Sequence, residues 1–108
     1  MARCRLDGAQ IHDVASFHAA SQKAFGFPQS YGHSMDAWVD CLSYLRDEEA
    51  MSSIRLGDDE VLSIEVVNID AWRLNAPELL EEMTYLIGAI NERYDDYGEK
   101  PALALVLC

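Results

Sequence analysis

The sequence predicts an α/β domain built on a parallel sheet, and three observations predict it. Apolar runs over residues 2–6, 61–67 and 102–107 have the length and spacing of strands. The intervals between them carry apolar residues at three- and four-residue steps, the period of helices packed on one side. The resulting order, β-α-α-β-α-α-β, needs crossover connections, which set the strands parallel and lay the helices over the sheet. Residues 1–108 show no repeat, linker or low-complexity stretch, so one domain is expected. At that length folding buries roughly 65% of the unfolded surface.

In the first run Ala2, Cys4 and Leu6 alternate with Arg3 and Arg5, a half-buried strand closed by the turn Asp7-Gly8. Asp13 can cap the helix that follows, whose inward face is Val14, Phe17, His18, Ser21, Ala24 and Phe25. A lone histidine on such a face reads as a hydrogen-bonded core residue, not a catalyst. Pro28, Gly32 and Ser34 then mark a loop, and Ser34 is placed to cap a second helix running to about Leu45. Met35, Trp38, Leu42 and Leu45 should face the core, with Asp36, Val39, Asp40 and Ser43 opposite. Asp36 sits in the first turn, where the helix dipole favours a carboxylate.

Residues 46–60 hold two acidic triplets, Asp47-Glu48-Glu49 and Asp58-Asp59-Glu60, around Met51, Ile54 and Leu56. They read as an irregular connection docked by its apolar residues, either a solvated loop or an acidic rim to a binding face. In the second strand Leu62, Ile64 and Val66 oppose Ser63 and Glu65, which predicts one packed and one partly wet sheet face. A helical turn over Ile69–Leu74 should set Trp72 on the core. Asn75 and Pro77 open the longest helix, striped by Leu79, Leu80, Met83, Leu86, Ile87, Ile90 and Tyr94 and ended by Gly98. Gly88 within it costs about 1 kcal/mol relative to Ala, which reads as a sign of close packing. Ala102–Leu107 reads as a buried final strand.

The net charge is −11, with 19 acidic residues against 8 Lys and Arg. Nucleic acid is thereby excluded as a partner, since phosphate binding needs clustered cations. A basic protein partner is favoured, although the same charge also serves solubility. Cys4, Cys41 and Cys108 make an odd count at no metal-ligand spacing, and His12 and His33 lack a second ligand nearby. No metal or cofactor is expected. Neither a leader's apolar segment nor a membrane-length run is present, so a cytoplasmic chain with free thiols is expected.

The stretch from Leu6 to about Leu45 resembles the barstar family of ribonuclease inhibitors without a gap. The resemblance runs through Asp7-Gly8, Gln10-Ile11, Phe17-His18 and Pro28, and is most specific at Tyr31-Gly32, Asp36-Ala37 and Asp40-Cys41-Leu42. Beyond Leu45 it is one of element order and hydrophobic pattern. It implies three parallel strands in the order 1-2-3 under about four helices. It also implies that a loop and the second helix enter a ribonuclease active site. Asp40 then falls where the family's helix aspartate replaces a substrate phosphate among catalytic Arg and His residues. Ser30, Tyr31, Gly32, Ser34, Asp36 and Val39 fall on the surrounding contact face.

The departures lie on that face. The family carries tyrosine at the position of Ser30, tryptophan at those of Val39 and Leu45, and asparagine at that of Ser34. Aromatic anchors carry much of an interface's energy, so the partner should be a basic ribonuclease or nuclease toxin other than barnase. His33 and Tyr44 are new features nearby, and Glu92, Asp95 and Asp96 are candidate acids from the last helix. The free chain should be monomeric.

An enzymatic use of Asp36 and Asp40 would need a cleft with one raised pKa, and two carboxylates on an outward helix face do not provide it. Cys41 has no His and acid placed to activate it. The expected function is inhibition of a nuclease, with a barstar-like interaction domain for a non-nuclease partner as the alternative.

Overall fold

A computed structural model describes residues 2–47 and 52–108. Its elements are β1 (Ala2–Asp7), α1 (Val14–Phe25), α2 (Met35–Leu42), β2 (Leu62–Val67), α3 (Ile69–Asn75), α4 (Pro77–Asp96) and β3 (Leu103–Leu107), with a 3-10 turn at Gly8–Gln10. The three strands are parallel in the order β1-β2-β3, as expected. Cys4 pairs with Ile64 and Ile64 with Leu105, so the apolar positions of neighbouring strands line up on one face.

The helices cover that face only. Leu6, Leu62, Ile64 and Val66 are sealed beneath Phe17, Trp38, Trp72, Met83 and Ile90. On the opposite face Glu65 lies between Arg3 and Arg5 of β1, at 4.0 and 3.8 Å. The alternation in the first two strands reports this one-sided packing directly. The final run does not. Residues 102–107, expected as a buried strand, form an edge strand whose Val106 and Leu107 are each 41% exposed. A continuous apolar run is read as burial on both faces, but here one face and one edge look to water. Asn91 holds the start of β3, its Oδ1 accepting from the amides of Ala102 and Leu103 at 3.1 and 3.0 Å.

Asp13 caps α1 through the Ser16 amide at 2.7 Å, and the Ser16 hydroxyl accepts from the Asp13 amide in return. With Ser16 committed to the cap, the buried face begins only at Phe17. Val14, expected inside, is accordingly 54% exposed. On α4 the expected stripe is buried except for Leu86, which is half-buried. Gly88 corrects a second expectation: it is exposed, and a Cβ there would meet nothing within 4 Å. No close packing requires that glycine.

Of the 46–60 connection, residues 48–51 lie outside the described part, and with them Met51 and most of the first acidic triplet. Leu56 is buried and Ile54 half-buried, so the segment docks on the domain. Arg46 ties it down. Its guanidinium, with a side chain only 4% exposed, donates to the carbonyls of Glu60 at 2.9 Å and Lys100 at 2.7 Å. It also lies 5.2 Å from the centre of the Tyr94 ring.

Candidate protein-binding face

The face is set by how the chain leaves α1 and enters α2. Gly26 ends α1 in the left-handed region, φ +64°, and its amide donates to the Gln22 carbonyl. A Cβ at Gly26 would collide with the Ser53 side chain, so glycine is required both by the backbone angle and by the approach of residues 52–53. Ser52 and Ser53 hold that approach by donating from their hydroxyls to the Phe25 and Gly26 carbonyls.

The loop beyond is pinned from inside. Phe27 stacks on Phe25 with ring centres 5.3 Å apart. The Pro28 carbonyl accepts from the Tyr31 amide at 3.0 Å and from Gln22 Nε2 at 2.9 Å. Tyr31 turns its ring inward, 6% exposed, and its hydroxyl lies 2.6 Å from His18 Nδ1. His33, at φ +51°, places Nε2 3.1 Å from Gln22 Oε1. Ser34 then caps α2 by accepting from the Ala37 amide at 3.1 Å.

On α2 the two faces divide as the spacing predicts. Trp38 is sealed against Phe17 and Phe25 and donates from Nε1 to Ser21 Oγ at 3.1 Å. Cys41 and Leu42 are also buried, while Met35 is only half so. The helix stops at Leu42, short of the expected Leu45. The Tyr94 hydroxyl accounts for the stop: it donates to the Leu42 carbonyl and accepts from the Leu45 amide, both at 3.0 Å. An orphan carbonyl at a helix end is thus satisfied from α4.

Ser30, Gly32, Ser34, Asp36 and Asp40 all reach solvent, and Val39 is half-buried among them. Tyr31, which the resemblance sets on the contact face, has its ring buried. Its ring supports the loop from below because the buried imidazole of His18 needs a partner, and the tyrosine hydroxyl is the one within reach. Asp40, with 56% of its side chain exposed, has Arg93 of α4 beside it at 3.5 Å. Arg93 had no signal in the sequence, since only the fold brings α4 to α2. The same holds for Tyr94, whose place on the apolar stripe says nothing of what its hydroxyl does.

The titrating groups of the face follow their surroundings. Burial, and then the neighbouring His33, hold His18 below the usual imidazole range. Burial, and then the Asp40 charge, push the Cys41 thiol up, which leaves it protonated and unreactive at neutral pH. The arrangement offers two outward carboxylates on one helix and, among the described residues, no activated nucleophile beside them.

The family model described as Barstar (barnase inhibitor) matches residues 1–106. The chain belongs to the barstar family. Its fold, with three parallel strands in the order 1-2-3 and four α-helices among the described residues, is the one the resemblance implied. The barstar family is one of ribonuclease inhibitors, not enzymes, and its binding partners are ribonucleases of the barnase type. A comparison with individually curated proteins returns no match. Among the described residues no helix is long and apolar enough to cross a membrane.

Proposed function

We propose that this barstar-family chain is an intracellular inhibitor, of antitoxin or immunity type, that blocks the basic active site of a ribonuclease or related nuclease toxin. The observation that carries the reading is the division of α2, which buries Trp38 and Leu42 and leaves Asp36 and Asp40 outward on a helix anchored at both ends. A cleft that binds a phosphodiester is lined with cations, and a carboxylate on a rigid helix offers them the same charge without a scissile bond. The contact surface consists of Ser30, Gly32, Ser34, Asp36, Val39 and Asp40, with Tyr31 holding the loop in shape from beneath. Since that loop is already pinned in the free chain, little ordering entropy is lost on binding. The net charge of −11 draws a basic partner in at long range.

The test is inhibition of RNA cleavage. Basic ribonucleases from the source cell or its competitors are titrated with the purified protein, and one of them should lose activity at equimolar inhibitor. Asp40→Ala should weaken that inhibition while leaving the circular dichroism spectrum unchanged. Inhibition that survives Asp40→Ala at full strength would place the contact elsewhere.

A further inference from the structure

Strand β3 forms one edge of the sheet, and two hydrogen bonds show which way its backbone groups point. The Leu62 amide donates to the Ala102 carbonyl at 2.8 Å, and the Cys108 amide donates to the Val66 carbonyl at 2.9 Å. Leu62 pairs with Leu103, Ile64 with Leu105 and Val66 with Leu107, so the even-numbered residues of β3 turn their N–H and C=O toward β2. Leu103, Leu105 and Leu107 turn theirs outward. Leu103 is closed off by Asn91, whose Oδ1 accepts from its amide and whose Nδ2 donates to its carbonyl, both at 3.0 Å. Among the described residues nothing does the same for Leu105 and Leu107. The side chains around these open groups are apolar. Val106 on the uncovered sheet face and Leu107 on the helix side are each 41% exposed, and no charge, proline or bulge interrupts Leu103–Leu107. The other edge is guarded, since β1 carries Arg3 and Arg5 with their side chains largely in solvent. An unguarded apolar edge is a template for another strand.

We propose that β3 pairs antiparallel with β3 of a second copy of this chain, about a two-fold axis at Val106. The occupant is a second copy because the edge is complementary to itself there. Leu105 exchanges both hydrogen bonds with Leu107 of the second copy, and Leu107 does so with its Leu105, which satisfies every open group on both chains. Moving the axis to Leu105 would set Leu107 against Leu103, which Asn91 already occupies. The two Val106 side chains meet as a non-hydrogen-bonded pair, the closer kind, on the uncovered face. Charge also selects this edge. Residues 101–108 carry none, whereas each chain as a whole carries −11, so the contact adds no repulsion of its own. The guarded β1 edge takes no part, and the assembly closes at two copies in one six-stranded sheet. A single short strand pair is a small interface, so the dimer forms with a Kd of about 0.1–1 mM and the dilute chain is a monomer.

The register sets Ala104 opposite Cys108 of the second copy, while the two Cys108 residues lie about 13 Å apart along the strands. Ala104→Cys should therefore give a disulfide-linked dimer under mild oxidation at least about tenfold faster than the wild type, because only the variant brings two thiols within bridging distance. Adding Cys108→Ser to that variant should return it to the wild-type rate. Raising the salt to about 0.5 M should speed the cross-link, because it screens the repulsion between two acidic chains. In the unaltered ¹⁵N-labelled protein at that salt, the Leu105 and Leu107 amides should shift between about 0.05 and 1 mM protein. Val106→Lys should remove those shifts by guarding the edge. Equal cross-linking of the wild type and Ala104→Cys, or Leu105 and Leu107 amides indifferent to concentration, would overturn the pairing. Amides that respond to the foreign strand acetyl-Lys-Val-Thr-Val-Thr-Lys-amide but not to protein concentration would assign the edge to another partner and overturn the dimer. Light scattering that grows past the mass of two chains would overturn its closure.

Discussion

His18 and Tyr31 are joined by a 2.6 Å hydrogen bond inside the protein, and it links the first helix to the middle of the loop that leads into α2. The other imidazole nitrogen, Nε2, has no partner among the described residues, so the ring depends on this one bond. Tyr31→Phe leaves a buried imidazole without its hydroxyl partner and should cost about 1–3 kcal/mol of stability. Urea denaturation of the two proteins at pH 7.5 measures it. A loss below a few tenths of a kcal/mol would mean that the loop is held by the Phe27 and Pro28 contacts alone.

The same histidine sets a pH dependence. Its folded-state pKa lies below the ordinary 6.5 because of burial and the nearby His33. The unfolded chain therefore takes up the proton first, and stability falls as pH drops below about 6.5. The loss continues until the folded-state imidazole is itself protonated. His33, 5.9 Å away, adds repulsion once it too is charged. Denaturation midpoints at pH 7.5, 6.5 and 5.5 should decline more steeply for the wild type than for His18→Gln. Parallel declines would assign the acid sensitivity to other groups.

Three thiols in different surroundings should react in a definite order. Burial, and secondarily Glu65, pushes Cys4 up to about 12, and burial with Asp40 raises Cys41. Cys108 is exposed. Iodoacetamide at pH 8 should therefore label Cys108 alone in the native protein, with Cys4 and Cys41 following only in denaturant. Peptide mapping by mass spectrometry reads this out, and native labelling of Cys41 would mean that α2 opens more readily than its packing implies.

Gly88 gives the prediction of opposite sign. It is exposed in mid-helix with open space where a Cβ would sit. Gly88→Ala should stabilise the protein by about 0.5–1 kcal/mol by reducing the freedom of the unfolded chain. A destabilised variant would point to a neighbour that the folded chain places there in solution.

The elements themselves were legible because their signals are local and repeated. The α4 stripe from Leu79 to Tyr94 and the alternation of β2 each rest on several residues that agree. Asp13 and Ser34 cap their helices as their positions predict. What escaped the sequence was what depends on a single polar atom or a distant segment. Tyr31 has a place on the contact face by resemblance, and only the fold brings His18 to its hydroxyl. Arg46 reads as loop charge, yet its partners are carbonyls at positions 60, 100 and 101 and the Glu99 carboxylate. The exposure of Val106 depends on which sheet face the helices cover, and an apolar run such as Leu103–Leu107 carries no mark of that. On the candidate site, spacing separates Asp36 and Asp40 from Trp38 and Leu42, but Arg93 reaches Asp40 only through the packing of α4 on α2.

The binding face itself is tested by salt and by two substitutions. If the partner is a basic nuclease, association should slow markedly between low salt and 0.1 M, where the screening length is about 10 Å. Asp40→Ala should weaken the complex by about 2–5 kcal/mol, chiefly through faster dissociation, because it leaves the partner's buried cations unpaired. Ser30→Ala should cost far less, since only a small hydroxyl is lost from an exposed position. Barnase should bind weakly, for want of aromatic anchors at Ser30 and Val39. Stopped-flow and surface-capture kinetics with the inhibited nuclease at two salt concentrations separate the two rate constants. Equal losses for the two substitutions, or tight binding indifferent to salt, would move the recognition surface away from α2. The electrostatic reading requires both results together, because steering acts on the long-range charge while Asp40 acts only in contact.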